Sequence, residues 1–550
     1  MRRSGAQILV DGLEAHGVEL AFCIPGESYL AVLDALHDSP IRLVVARHEA
    51  GAANMAEAYG KLTGRPGICF VTRAPGATHA STGVFTAFQD STPLVLFVGQ
   101  VPRSERGREA FQELDYARMY GEMAKWVVEL DAPEQVPEVV ARAFTVATSE
   151  RPGPVVVAMP EDVLAAEADV ADAEPSVAEP RAPSAAELAR VRELLEGAER
   201  PLVVVGGGRW SAQAAADLKA WAEASQLPVL ASFRRQDYLD NTSPSYAGML
   251  TIGHPPERAQ RLRDADVLVA VGTRLGEVAT RGYTTLVPPR TPQPLVHVHP
   301  DPRELGRVYE ADVPIVSDPG TFLAAVQPVD GSRRREWTAS ARAEYAESLR
   351  HRPAPGELDL ADVIAELRRR LPADAIVTNG AGNFSVWTHR FYVFRQYRTQ
   401  LAPCSGAMGY GVPAAVAAKL VHPDRVVVCV AGDGDFLMSG HELAAAAQER
   451  APIVVLLVNN GMYGTIRMHQ ERQFPGRVVG TELVNPDFVA LAQAYGAHAE
   501  RVERSGEFGG AFERALASGR PAVLELVVDP EAISPTATIS ELRATPAPAR

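Results

Sequence analysis

Gly432-Asp433-Gly434 and Asn459-Asn460, with 24 residues between them, are the residue types that could hold a metal and a phosphate together. Magnesium takes hard oxygen ligands in near-octahedral geometry, usually one or two from protein, while phosphates and water supply the rest. The carboxylate of Asp433 and the amide oxygen of Asn460 match that demand. The glycines beside Asp433 let the backbone turn sharply and approach a phosphate, and the amides opening the helix expected after it, from Gly434 and Asp435 onward, favour anionic oxygens. Either run alone reads as a turn or a strand end. At this spacing both fall just past the carboxyl ends of strands in one βαβ unit, where open parallel sheets bind ligands.

The elements that position them are visible as β-branched runs at Arg425 to Ala431 and Ile453 to Val458, with further strands expected at Ala375 to Thr378 and Ala522 to Val528. The same rhythm occupies the start of the chain: Ile41 to Ala46, a helical pattern from Glu49 to Thr63, Gly67 to Thr72, Thr78 to Phe88, then Leu94 to Val98. Alternation of this kind predicts parallel sheets with helices on their faces. A stretch of Ala, Glu, Asp and Pro from Ala165 to Ala185 lacks an apolar period and reads as a linker. A middle rhythm begins at Pro201 and runs to about Val329, and a charged segment from Gly331 to Trp337 leads toward the last one. The expected fold is α/β, with three open parallel-sheet domains at residues 1–165, 186–330 and 358–550. The first and third, alike in size and rhythm, read as related sheets. Gly206 to Gly208, after a strand of the middle domain, could cradle a pyrophosphate but lacks the full dinucleotide spacing, and glycine is equally ordinary in such a turn.

Composition narrows the function classes. With 54 basic against 68 acidic residues and a net charge of −14, the chain has no electrostatic footprint for nucleic acid or anionic lipid. Cys23, Cys69, Cys404 and Cys429 follow neither a zinc spacing nor a disulfide framework. The start of the chain carries no signal-type apolar run, so a cytoplasmic enzyme acting on small molecules is expected.

The Gly-Asp-Gly and Asn-Asn pair resembles the thiamine-diphosphate motif of the pyruvate oxidase and acetolactate synthase superfamily, and the likeness covers nearly the whole chain in three-domain order. The resemblance implies thiamine diphosphate and Mg2+ as cofactors. Asp433 and Asn460 would bind the metal through side chains and Met462 through its carbonyl. Gly432, Gly434, Asp435, Tyr463 and Gly464 would complete the surrounding motif, and Gly382-Asn383-Phe384 occupies a family segment that touches the diphosphate. In the segment Ser405 to Gly411, Met408 would prop the folded cofactor and the Gly406 carbonyl would accept from its 4′-amino group. The run Arg47-His48-Glu49-Ala50-Gly51-Ala52-Ala53 matches the family segment whose glutamate drives the aminopyrimidine into its imino form, the base for the C2 proton. A glutamate in a helix's first turn is also favoured by the helix dipole irrespective of function. By resemblance the small residues of this helix pack against a second subunit, joining Glu49 of one chain to Asp433 of another in a homodimer or tetramer. Pro25-Gly26-Glu27, Pro75-Gly76-Ala77-Thr78 and Ala110-Phe111-Gln112-Glu113 match segments of acetolactate synthases; by resemblance Pro25 and Gly26 would touch the cofactor, and Phe111 and Gln112 would line the substrate pocket.

Departures from the family gather around the substrate. Phe384 stands where a polar residue is frequent, Glu161 where a lysine follows the strand, His79 where an asparagine is frequent and His469 where a tryptophan shapes the acceptor pocket. Arg274-Leu275-Gly276-Glu277-Val278 replaces a stretch that binds substrate and touches flavin, which puts FAD in doubt. The expected activity is carboligation of 2-oxo acids, resembling acetolactate synthase. A 2-oxo-acid decarboxylase is the alternative within the superfamily, although no two histidines are adjacent in the chain as in a pyruvate-decarboxylase-like site. The alternative of another class, a noncatalytic cofactor-binding regulatory subunit, has no use for Glu49.

Overall fold

The computed structural model describes residues 2–176 and 179–544. Met1, Val177, Ala178 and residues 545–550, which fall within the expected first domain, linker and third domain, lie outside the described residues. Three six-stranded parallel sheets follow one another along the chain. The first contains Leu20–Cys23, Arg42–Val45, Gly67–Val71, Leu94–Gln100, Trp126–Glu129 and Pro154–Pro160. The third contains Ile376–Asn379, Gln400–Leu401, Val427–Gly432, Val454–Asn459, His498–Val502 and Ala522–Val527. Numbered within each domain, both lie in the order 2-1-3-4-6-5, so the first and third domains share a topology. The middle sheet has the doubly wound order 3-2-1-4-5-6 instead. Its strands are apolar along nearly their full length because helices cover both faces. Among the described residues no helix is long and apolar enough to cross a membrane.

Three expectations about the connections need correction. The linker does not begin at Ala165: Glu167–Ala168 pairs antiparallel with Arg3–Ser4, and Arg3 bridges Asp11 and Asp172, so the chain stays fastened to the first domain to about residue 172. The charged segment after Gly331 does not lead away from the middle domain. Arg334 is buried there and donates to the Leu195 carbonyl, Trp337 donates to the Pro201 carbonyl, and the helix Arg335–Ser348 stays packed against that sheet. The helix expected after Gly-Asp-Gly is broken into Asp433–Phe436, a 3-10 turn at Gly440–Glu442 and Leu443–Gln448. Its first piece is one turn long and develops little macrodipole, so the backbone amides there act individually.

The helix Glu49–Thr63 is the centre of the assembly. His48 caps it by accepting from the Ala50 N–H at 3.1 Å, and Gly64, at φ 75°, ends it. Its small-residue face is covered within the same chain, by the helix Ala74–Asp90 of the first domain and the helix Gly411–Val421 of the third. These contacts account for Ala52 and Ala53, both fully buried, without a second subunit. A Cβ on Gly83 would lie 2.4 Å from the Ala53 Cβ and 2.9 Å from the Asn54 N. Gly83→Ala must therefore force the two helices apart, at a cost of about 1–3 kcal/mol, and is expected to lower the first thermal transition measured by calorimetry. An unchanged transition would mean that the helices do not approach this closely.

A buried ionic junction then joins the three domains. Lys61 bridges Glu57 at 3.1 Å and Asp90 at 2.9 Å, Arg235 of the middle domain reaches Asp90 at 3.1 Å, and Tyr410 of the third donates to Glu57 at 2.7 Å. Burial alone would raise the Asp90 carboxyl, but Lys61 and Arg235 hold it at about 2. Two acids and two cations compensate one another here, so removal of any one leaves a buried charge unpaired.

Candidate active site

In the first domain, Pro25 and Gly26, Glu49, and Pro75 and Gly76 follow three neighbouring strands at their carboxyl ends. Gly26 lies against Thr72, and Gly76 faces Glu49, whose Oε1 would be 3.4 Å from a Cβ there. The Glu49 side chain is 13% exposed, and its Oε2 lies 2.9 Å from His79 Nδ1. Behind it, Arg47 and His48 donate their backbone N–H groups to the buried Glu442 of the third domain. Burial pushes the Glu442 carboxyl up to about 7 against those two donors. His48 stacks on His79 at 4.6 Å between ring centroids and lies 5.9 Å from His441. Burial lowers both His48 and His441, with a further contribution from the neighbouring imidazole. Histidines that are not adjacent in the chain are thus paired in space.

In the third domain, Asp433 stands at the end of Val427–Gly432 and is 3% exposed. Its Oδ1 accepts from the Gly434 N–H at 2.8 Å, while Oδ2 accepts from the Gly461 N–H at 2.8 Å and the Asn485 amide at 2.9 Å. The loop carrying Asn460 and Met462 is thereby drawn against Asp433, and Gly461, at φ 67°, makes that turn possible. Burial raises the Asp433 carboxyl, opposed by Asn485 and the backbone donors. Among the described residues no cationic side chain pairs with it. A buried anion served only by neutral donors, beside an amide and a backbone carbonyl, fits a divalent cation with hard oxygen preference.

The other expected cofactor residues separate into two kinds. Gly382 and Gly432 both face the ring of Phe384, and Gly434 faces that of Tyr463, so a Cβ on any of these glycines would strike an aromatic ring. Gly406, at φ 71°, faces open space and leaves its segment accessible, with Met408 half-buried beside it. Gly464 packs against the Asn460 amide and Ile533. Asn383 is committed elsewhere: its amide donates to the Ile533 carbonyl and its Oδ1 accepts from Thr465, which leaves its backbone for any phosphate contact. Asp435 is likewise a brace. Its buried carboxyl accepts from the Ala381 and Gly409 N–H groups, and burial pushes it up to about 7.

Phe111 is 73% exposed and Gln112 holds a left-handed backbone at φ 65°. The buried Gln112 Oε1 has no hydrogen-bond partner among the described residues. Glu161 is not a free charge at the pocket mouth, because it pairs with Arg73, whose guanidinium also donates to the Phe111 carbonyl at 3.4 Å. Neither Arg73 nor Asn485 stood out in the sequence. His469 lies exposed on the helix Gly464–Gln473.

At the switch point of the middle sheet, a Cβ on Gly207 would lie 1.9 Å from the Gly272 carbonyl oxygen, and one on Gly208 2.6 Å from that of Ser91. Trp210 donates to the Gly206 carbonyl, Arg274 to that of Gln89, and Arg151 pairs with Glu304. Close packing within the protein accounts for the glycines of this run as an ordinary strand-to-helix turn.

Comparison with known families agrees with this geometry. Residues 3–119, 188–326 and 380–526 match the N-terminal TPP binding, central and C-terminal TPP binding domains of thiamine pyrophosphate enzymes. Fold and site thus define a thiamine pyrophosphate enzyme. The chain is 32% identical over 530 residues to the acetolactate synthase isozyme 2 large subunit of Escherichia coli K12, covering 96% of both chains. It is 35% identical over 514 residues to the acetolactate synthase large subunit of Parasynechococcus marenigrum, covering 90% of this chain and 82% of that one. A probable acetolactate synthase large subunit of Methanocaldococcus jannaschii is 31% identical over 96% of this chain and 92% of its own. The chain belongs to the acetolactate synthase large-subunit family of thiamine pyrophosphate enzymes.

Proposed function

We propose that the chain is a cytoplasmic, Mg2+-dependent carboligase that decarboxylates a pyruvate-like 2-oxo acid and joins the remaining fragment to a second carbonyl compound. The observation that carries this reading is the buried, cation-free Asp433 carboxylate drawn against the Asn460–Met462 loop. Thiamine diphosphate would supply, when bound, a nucleophilic carbon and a ring able to hold the electron pair left behind as CO2 departs. Asp433, Asn460 and the Met462 carbonyl would hold Mg2+ for the diphosphate, with Gly382, Gly432 and Gly434 admitting the rings of Phe384 and Tyr463 that pack behind this segment. Met408 supports the folded cofactor and the Gly406 carbonyl fixes its amino group. Glu49 shares a proton with the pyrimidine ring, and Pro25 and Gly26 border that ring. Phe111 and Gln112 meet the acceptor, and the unsatisfied Gln112 Oε1 suits a substrate hydroxyl or a bound water.

The working unit in this reading is a homodimer or tetramer in which Glu49 of one chain serves the diphosphate site of another. The shared 2-1-3-4-6-5 topology of the first and third domains supports it, since two like domains that pair within a chain can pair again between chains. The test is incubation of purified protein with thiamine diphosphate, Mg2+ and a panel of 2-oxo acids, with products identified by mass spectrometry. Pyruvate, if accepted, is expected to yield mainly acetolactate and little acetaldehyde. Predominant acetaldehyde at saturating pyruvate would place the chain with the decarboxylases, and no turnover on any 2-oxo acid would favour a binding-only subunit.

A further inference from the structure

His79 lies on the helix Ala74–Asp90, and its imidazole Nδ1 is 2.9 Å from Glu49 Oε2. Half of the side chain is open to solvent, whereas Glu49 is largely covered. His48, the nearest other imidazole, cannot take the same part, because its Nδ1 already accepts from the Ala50 N–H as the helix cap. We propose that His79 is a positioning residue that both orients the Glu49 carboxyl and carries its proton to and from solvent. The inference rests on the reading of Glu49 as the group that shares a proton with the pyrimidine.

The proton balance closes with water alone. As the Glu49 O–H bond breaks, an N–H bond forms at His79 Nδ1, and the proton on Nε2 leaves to water. The ring is then neutral, with Nδ1 donating to the Glu49 carboxylate. Protonation of Nε2 by water returns the Nδ1 proton to Glu49 and restores the first state. The charged and titratable groups around His79 suit this exchange. Glu49 faces it directly, and the stacked His48 is held toward its neutral form by burial. His441 stands behind His48, and the Glu442 carboxyl lies behind the N-terminal turn carrying Glu49, reached through the His48 N–H. A neutral His48 leaves room for one positive charge in the stacked pair.

The test uses His79→Asn, whose amide can still hydrogen-bond Glu49 but cannot accept its proton, and His79→Ala, which leaves a gap. In the cofactor-free chain, the His79 imidazole 15N resonances are expected to move on Glu49→Gln while those of the distant His422 stay fixed; no response would overturn the contact itself. In the loaded enzyme, with occupancy checked by calorimetry, deuterium exchange at cofactor C2 is expected to slow about 100-fold in both His79 variants, the low end of general acid–base effects. Added imidazole should restore His79→Ala in proportion to its concentration and leave His79→Asn slow. Exchange at the wild-type rate in both variants would overturn the relay. So would slow exchange that imidazole does not restore, since that is the behaviour of a purely structural residue. Glu49→Gln in the same assay separates the two levels: slow exchange there with fast exchange in the His79 variants removes only the relay, whereas fast exchange in Glu49→Gln removes the underlying role of Glu49.

Discussion

Calorimetric titration of Asp433→Ala with thiamine diphosphate and Mg2+ is expected to show the tight, metal-dependent binding lost. The wild-type carboxylate is buried and lacks a cationic partner among the described residues, so the metal supplies the missing positive charge and carries it to the diphosphate. Residues that only orient a metal ligand cost about 10-fold to 100-fold in affinity when removed; loss of the ligand itself should exceed about 100-fold, or ~2.7 kcal/mol. Asp433 also fastens the Gly461 turn, so the effect could be confused with a loosened loop. Asn485→Ala separates the two, because it deletes one hydrogen bond to Asp433 and leaves the charge. Only a modest loss is expected there. Unchanged Mg2+-dependent affinity in Asp433→Ala, or an equal loss in both variants, would refute Asp433 as a metal ligand.

The contrast between Asp433 and Asn485 also marks what was legible in the sequence. Asp433 and Asn460 stand out in the sequence because each lies just past a β-branched run, and a strand end in a parallel sheet is a place as well as a composition. Asn485 sits in a loop, 52 residues from the carboxylate it serves, and no local pattern ties an isolated asparagine to a partner so distant. Glu161 illustrates the same limit from the other side. Read alone it reverses a charge, and only the folded chain supplies Arg73 to balance it. His79 was visible as a departure, but its meaning depends on the close helix approach that Gly83 allows.

At the level of the fold, strand rhythm was enough to suggest that the first and third domains are related. It could not give the order 2-1-3-4-6-5, because periodicity says which residues are in strands and nothing about which strands are neighbours. Boundaries failed where charged residues hold the chain. Arg3 with Asp172, and the buried Arg334, retain segments that their composition marked as connecting. The broken helix after Asp433 failed for a different reason. The pattern of apolar residues continues across the break, but Ser439 and Gly440, weak helix formers, stand where the helix gives way to a 3-10 turn.

Glu49→Gln is expected to leave cofactor binding nearly intact while lowering turnover about 100-fold to 10,000-fold, the usual range for a general acid or base. Glutamine keeps the length and much of the hydrogen-bonding capacity of glutamate. It can still meet the pyrimidine nitrogen and accept from its surroundings, but it cannot exchange a proton there. The location is prepared for that exchange: the carboxyl opens the helix Glu49–Thr63, is 13% exposed, and meets a half-exposed imidazole at 2.9 Å on its open side. The Glu442 contacts to the Arg47 and His48 N–H groups fix the turn from which Glu49 projects, so the substitution should change its chemistry more than its position. The measurement is rapid-quench NMR of hydrogen–deuterium exchange at C2 of the bound cofactor, with occupancy determined separately. Exchange at the wild-type rate in a fully occupied Gln variant would exclude Glu49 as the activating group. Slow exchange at full occupancy would assign it that role and remove the binding-only alternative, because a subunit that merely holds the cofactor has no step for a proton on Glu49 to control.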